Sequence, residues 1–299
     1  MENNRYPAEW EEQAAIWLAL PVNEENWASR REKIDVFYSK LIETISRFQP
    51  VKILDDLQIP HNDVWIRDYG PFFVECNGKL NAVSYEFNSW GEKFPPWDLD
   101  NAVPEKIAEK LGVPCAKRNW ILEGGAMEFN GDGLCITTAP CLFGEKRNCE
   151  KQKNELLKDL QKSLGIKSLK ILPDGLEGDH TDGHIDNLAR FVAENRVVIA
   201  AGFEQSKKEI EVWLAEHYEN AKVDTLPLPP ITASSYMNFI FANGGLIVPI
   251  YNCEADSLAL EYFKKVFPDR EVIGMDCSVP IEEGGSLHCL SKQEPKAQI

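Results

Sequence analysis

Apolar and polar positions along the chain repeat one arrangement about five times: an amphipathic helix, acidic at its start and basic at its end, then a short strand, then two apolar strands around a turn. The periodicity predicts helices over Glu25–Phe48, Asn101–Leu111, Glu145–Leu164, Gln205–His217 and Ala255–Val266. Short strands are expected after them at Val51–Asp55, Val113–Lys117, Ser168–Leu172, Lys222–Leu226 and Glu271–Met275. Tight reversals at Asn77-Gly78, Asp132-Gly133, Glu194-Asn195 and Asn243-Gly244-Gly245 predict the hairpins. The fifth hairpin is incomplete, because an apolar strand ends near Ser291 and another, Ala14–Leu20, has no helix before it. Pairing those two completes the series. Repeated ββαβ units set around an axis make a five-bladed α/β propeller with its chemistry at the centre, where strand ends converge; an open α/β sheet is the simpler alternative. No linker rich in Gly, Ser or Pro divides the chain, so residues 1–299 read as a single catalytic domain.

Composition narrows the partners. The 299 residues carry 48 acids against 32 bases, a net charge of -16, which repels nucleic acid and anionic lipid and attracts cations. An acidic surface also serves solubility. With no apolar run long enough to span a bilayer and a polar, acidic opening from Met1 to Trp10, a cytoplasmic protein is expected. Eight cysteines, at 76, 115, 135, 141, 149, 253, 277 and 289, contain no Cys-x-x-Cys pair, which speaks against a zinc site and a disulfide scaffold.

The chemistry-bearing segments lie where apolar strands meet turns. Asn62–Pro71 sets Asp68 two residues before Gly70-Pro71, and Glu123 precedes Gly124-Gly125, where the backbone can approach closely. Gly178–Asn187 is dense in titratable groups, with Asp179, His180, Asp182, His184 and Asp186 just before a predicted strand at Leu188–Val192. Gly284–Cys289 delivers a cysteine near the C-terminus. In an extended segment His184 and Asp186 point the same way. A cysteine, a histidine and several carboxylates around one point suit attack on an electron-poor carbon, with the carboxylates gripping a guanidinium. Singly, each residue is as well explained by packing or a turn. Metal binding by His180, Asp182, His184 and Asp186 is a rival, but it leaves Arg67–Pro71 and Leu287–Cys289 without a role.

Taken together and in order, these segments resemble the agmatine deiminase family, within the group that includes bacterial peptidylarginine deiminases and amidinotransferases. Tyr6–Glu11, Asn62–Pro71, Phe87–Gly91 with Pro96–Asp100, Leu122–Gly125, Thr181–Asn187, Tyr236–Pro249 and Gly284–Cys289 carry the likeness nearly end to end. The resemblance implies a five-bladed α/β propeller, or pentein. It assigns Cys289 as the nucleophile, His184 as the acid and base of both half-reactions, Asp68 and Asp186 as the guanidinium-gripping carboxylates, and Glu123 as a third acid. Trp65 is implied as an aromatic against the substrate's alkyl chain, and Trp90, His180 and Asp182 complete the expected substrate contacts. No metal and no organic cofactor is implied.

Two departures stand out. The family often carries an acid four residues before the histidine, where this chain has His180; either Asp179, Asp182 or Glu92 replaces the missing charge, or neutral His180 accepts from the ammonium, or the substrate's far end is a carboxylate or peptide. The segment between Val51 and Asn62 is also abbreviated. The expected activity is hydrolysis of agmatine to N-carbamoylputrescine and ammonia. Deimination of free or peptidyl arginine, amidino transfer to an amine and silent guanidine binding are the alternatives. The expected partner is a small cationic guanidino compound, with neither nucleic acid nor membrane, and a homo-oligomer is left open. Carboxylates raise a thiol's pKa and a bound guanidinium lowers it, so substrate is expected to assist ionisation of its own nucleophile.

Overall fold

A computed structural model of the protein describes residues 4–144 and 146–297, excluding the side chains of residues 24 and 25. The architecture is mixed α/β, with five small sheets among the described residues. Four sheets share one plan: a hairpin of two antiparallel strands, a helical segment, then a third strand parallel to the second. These hairpins are Phe72–Cys76 with Lys79–Glu86, Glu128–Phe129 with Leu134–Thr138, Ala189–Ala193 with Arg196–Ala200, and Ile240–Ala242 with Gly245–Ile250. Their parallel third strands are Cys115–Ile121, Ser168–Leu172, Lys222–Leu226 and Glu271–Asp276. Asn4–Arg5 adds a fourth strand to the first of them.

The fifth sheet joins the two ends of the chain. Ser291–Pro295 runs antiparallel to Gln13–Leu18, which pairs in parallel with Val51–Ile53. The closing strand was expected just before Ser291, yet it is the polar segment Ser-Lys-Gln-Glu-Pro, buried along its whole length. Specific partners make that burial tolerable. Glu294 accepts from Trp17 Nε1 at 2.7 Å and from Lys52 Nζ at 2.7 Å, Gln293 accepts from Arg67 Nη1 at 2.6 Å, and the Lys292 ammonium lies 4.6 Å from the Phe72 ring centroid.

Helices cover the sheets with stripes read from their sequence. Arg31–Ser46 buries Ile34, Phe37, Tyr38, Leu41 and Ile45, and Lys153–Leu164 buries Leu156, Leu160 and Leu164, the spacing of one helical face. Ala255–Val266 has the predicted bounds, while the helices expected at Asn101–Leu111 and Gln205–His217 run Asp98–Leu111 and Glu204–Ala215. The helix expected over Glu25–Phe48 is broken by a 3₁₀ turn at Ala28–Arg30, where the Arg30 side chain is drawn to Glu282 and Glu283. The helix expected from Glu145, a residue outside those described, begins only at Lys153. Ahead of it Asn148 bonds both the N–H and the C=O of Ile121, a use of the chain that a helix forbids. Among the described residues no helix is long and apolar enough to cross a membrane.

Candidate active site

Four segments converge on one buried point. Asp68 lies on a single helical turn, Ile66–Tyr69, and Asp186 on a second, Ile185–Leu188, with His184 immediately before it. The expected extended run through Asp186 is therefore corrected: the chain turns after His184. Asp179 causes this, because its Oδ2 accepts from the His184 N–H at 3.2 Å and from Asn187 Nδ2 at 2.9 Å. Glu123 ends the approach to a 3₁₀ turn at Gly124–Ala126, and Cys289 precedes the closing strand.

The side chains meet with little room to spare. Cys289 Sγ is 3.9 Å from Asp186 Oδ2 and receives a contact from Asn238 Nδ2 at 3.1 Å. His184 Nε2 stands 3.3 Å from Glu123 Oε2, and its Nδ1 3.6 Å from Asp68 Oδ1. Gly125 forms the floor between them. A Cβ there would fall 2.6 Å from His184 Nδ1, 2.8 Å from Asp68 Oδ1 and 2.9 Å from Asp186 Oδ2, so only glycine lets the three groups close up. Its N–H donates to Asp68 Oδ1 at 2.9 Å. Asp186 Oδ1 and His184 Nδ1 are buried without a hydrogen-bond partner among the described residues.

Electrostatics set the protonation of the resting site. Burial lowers the basicity of His184, but Asp68 and Glu123 outweigh it and raise the ring's pKa to about 10, so it is an imidazolium at neutral pH. Burial raises Asp68 to about 6. Burial also opposes ionisation of Asp186, yet the hydrogen bond and charge of His288 hold it below the usual carboxylate range. Burial, and then the charges of Asp186 and Asp68, push the Cys289 thiol well above its ordinary value. Alkylation of Cys289 by iodoacetamide in free enzyme is therefore expected to be slow at neutral pH and still climbing at about pH 9–10. Site-resolved mass spectrometry, needed because Cys149 is exposed, checks this. A rate that plateaus below pH 7 would refute the protonated resting thiol.

A cavity of about 130 Å³ opens onto the sulfur, lined by Trp65, Asp68, Trp90, His180 and Cys289 among others. That is well below the ~300–1,000 Å³ of drug-sized ligand sites and suits a slender substrate. Trp65 packs against Gly285, where a Cβ would lie 2.2 Å from the ring. Trp90 donates from Nε1 to Asp68 Oδ2 at 2.9 Å. It is aimed there by four consecutive left-handed residues, Ser89 to Glu92, with φ of 53°, 55°, 85° and 64°. The three non-glycine residues in that run cost roughly 1–2 kcal/mol each. His184, Asp186, Glu123 and Asp182 stand behind that lining. The Asp182 carboxylate pairs with Lys93 at 2.6 Å and Arg147 at 2.7 Å, and Glu92 pairs with Lys146. At the mouth stand Asp63, Glu282 and Glu283, acids whose role the sequence did not announce. Among the described residues no group of three or more His, Cys, Asp or Glu side chains is arranged to hold a metal ion.

Two further polar residues were missed. Asn238 also accepts from the His288 N–H at 2.9 Å and the Cys289 N–H at 3.3 Å, fixing the nucleophile's backbone. Arg147 donates to both oxygens of Glu123, at 2.9 and 3.1 Å, and to the Thr181 carbonyl at 2.7 Å. The signal for Asn238 was its isolation, a lone amide in the apolar run from Tyr236 to Phe241. Nothing local marked Arg147.

Comparison with known proteins agrees with this geometry. The chain is 29% identical to an agmatine deiminase of Pseudomonas syringae pv. tomato, covering 97% of this chain and 95% of the relative. That alignment runs over 348 residues against a chain of 299, so the relative has segments with no counterpart here. An agmatine deiminase of C. jejuni, solved with substrate bound, superposes with a TM-score of 0.90 at 30% identity, covering 99% of this chain and 97% of that one. A dimethylarginine dimethylaminohydrolase shares the fold at 14% identity, with a TM-score of 0.62 over 94% of this chain and 99% of its own. The family model of Porphyromonas-type peptidyl-arginine deiminases matches residues 5–295, and the chain belongs to that family, alongside the agmatine deiminases it resembles throughout its length.

Proposed function

We propose that the protein hydrolyses the guanidinium of agmatine to N-carbamoylputrescine and ammonia through a covalent adduct on Cys289. One observation carries the reading: Asp186 Oδ1, buried without a hydrogen-bond partner among the described residues, belongs to the same cluster as the Cys289 sulfur. A planar, donor-rich guanidinium satisfies that carboxylate oxygen, and together with Asp68 fixes the plane that sulfur attacks. The cation lowers the thiol's pKa, the thiol gives its proton to solvent at the open mouth because the His184 ring is already protonated, and the thiolate forms a C–S bond at the guanidinium carbon. His184 passes a proton to the departing nitrogen, the C–N bond breaks and ammonia leaves. The now neutral ring takes a proton from water, whose oxygen attacks the amidino carbon; the C–S bond then breaks, the hydroxyl proton of the adduct returns to the sulfur and the urea product forms. Glu123, itself bonded by Arg147, keeps the ring in place.

The mouth favours a cationic far end. Asp63, Glu282 and Glu283 line the mouth, where Arg30 pairs with both glutamates and leaves the acids in excess of that one cation. They suit the ammonium of agmatine and oppose the carboxylate of free arginine. Relatives that bear the agmatine deiminase name support the same choice. In the same reading, five ββαβ sheets joined end to end by the pairing of Ser291–Pro295 with Gln13–Leu18 support a five-bladed α/β propeller, working as one catalytic domain in the cytosol. Its partner is a small guanidino cation; nucleic acid and membrane are not among its ligands, and self-assembly is compatible with it.

Ammonia release from agmatine, free arginine and a blocked arginine peptide, measured side by side, tests the proposal. Agmatine is expected to lead, and turnover confined to arginine or the peptide would keep the mechanism and overturn the substrate. Release of the amidino group only when an amine acceptor is added would indicate transfer instead of hydrolysis. Replacing both Glu282 and Glu283 by glutamine is expected to raise the KM for agmatine about tenfold while kcat stays within about twofold, since these acids touch the end that does not react. An unchanged KM would remove the mouth from the account of specificity.

A further inference from the structure

Behind the site lies a second ionic cluster that the chemistry above leaves unused. Glu9, from the segment between Asn4–Arg5 and Gln13–Leu18, accepts from Arg67 Nη1 at 3.1 Å and Arg190 Nη2 at 2.8 Å, and its Oε1 is 2.8 Å from His288 Nε2. On its other side the His288 ring sets Nδ1 2.7 Å from Asp186 Oδ2. Each partner of Glu9 lies close in the chain to a site residue. Arg67 precedes Asp68, His288 precedes Cys289, and Arg190 follows Asp186 by four residues, on the strand Ala189–Ala193. A single carboxylate thus ties together the backs of three segments whose fronts make the site. Arg190 is further paired with Glu128 at 2.7 Å, so the cluster is rich in both signs.

The ring is the critical member. Both of its nitrogens face carboxylate oxygens at hydrogen-bond distance, so the trio needs two protons, both on the ring or one on the ring and one on a carboxyl. A bare nitrogen lone pair against an ionised oxygen would drive the contact apart. Asp186 commits Oδ2 to this ring, which is why Oδ1 is the oxygen left unpaired. Were the ring removed, the carboxylate could rotate and its grip on a guanidinium would lose direction.

We infer that Glu9 and His288 form a positioning relay, in which Glu9 fixes the imidazole and the imidazole locks Asp186 so that Oδ1 is presented to the substrate. The inference rests on the guanidine reading of the site. Neither residue touches the reacting atoms.

The amide of asparagine overlays His Nδ1 and that of glutamine overlays Nε2, so the two variants separate the two contacts. His288→Asn keeps a donor for Asp186 and is expected to lose no more than about tenfold in kcat/KM for agmatine, whereas His288→Gln and His288→Leu lose a further ~10–100-fold, chiefly through KM. A ring with a merely structural role would cost Asn and Gln alike, in thermal stability as much as in KM. Equal losses in Asn and Gln, or wild-type kinetics in Gln, overturn the relay. Should the His288 variants not fold, Glu9→Gln takes their place; it is expected to raise KM about tenfold with kcat less affected, and wild-type kinetics there also overturn the relay. Ammonia release by wild type judges the function separately. If wild type releases none, protection of Cys289 from iodoacetamide by agmatine is compared across the same variants: kept in Asn and lost in Gln supports the relay, and equal protection overturns it.

Discussion

Cys289→Ala is expected to lose agmatine turnover by on the order of 10⁵-fold while binding agmatine with an affinity within a few-fold of wild type. The asymmetry follows from the site. Binding rests on Asp68, Asp186 and the mouth acids, and all of them survive the substitution. The covalent step has no understudy: Thr181 Oγ1 is engaged with Asp179 Oδ1 at 2.7 Å, and the Ser286 hydroxyl lies in the enclosed contact with Tyr251 at 3.2 Å. Removing the thiol also removes the group whose desolvated protonation the carboxylates enforce, so tighter binding in the mutant would agree with the argument. Single-turnover ammonia release and calorimetric titration with agmatine provide the check. A mutant retaining more than about 1% of activity would mean that sulfur is not the nucleophile.

Asp68→Asn carries the second-largest effect, a loss of about 10²–10⁴-fold in kcat/KM, matching the roughly 3–5 kcal/mol for stripping one partner from a buried charge pair. Both oxygens of Asp68 already accept, one from the Gly125 N–H and the other from Trp90 Nε1. Asparagine offers a single oxygen, so one of those donors must face an NH₂ and the contact opens. The substitution also acts through His184. Asp68 is the foremost group raising that ring to about 10, so without it the pKa falls. The ring must be protonated to release ammonia, and the alkaline limb of kcat/KM that it sets moves to lower pH. Activity within tenfold of wild type, with the alkaline limb unmoved, would show that Asp68 neither grips the substrate nor tunes the base.

What the sequence disclosed and what it hid divide along physical lines. Ala255–Val266, Ser168–Leu172 and Lys222–Leu226 were legible to the residue because apolar periodicity and turn residues mark such elements locally. Cys289, His184, Glu123, Asp68 and Asp186 could be singled out, and the structure gathers all five. The closing strand was misplaced because its polar residues are neutralised by Trp17, Lys52 and Arg67, partners remote in sequence. The turn after His184 depends on Asp179 accepting across the segment, and Arg147 reaches Glu123 from 24 residues away. Such contacts leave no period in the chain. The ion pairs of Asp182 with Lys93 and Arg147 were hidden for the same reason, since proximity to His184 says nothing about them.

The bond from Trp17 to Glu294 spans 277 residues, and Cys289 stands two residues before the strand it secures. Cys289 is therefore synthesised 105 residues after His184, and nucleophile and base can meet only once it has been made. A product that stops between Asp186 and Cys289 holds the histidine and the carboxylates without the Cys289 sulfur. Chemical competence arrives with Cys289 and the strand that follows it, and molecules that stop short of them are silent.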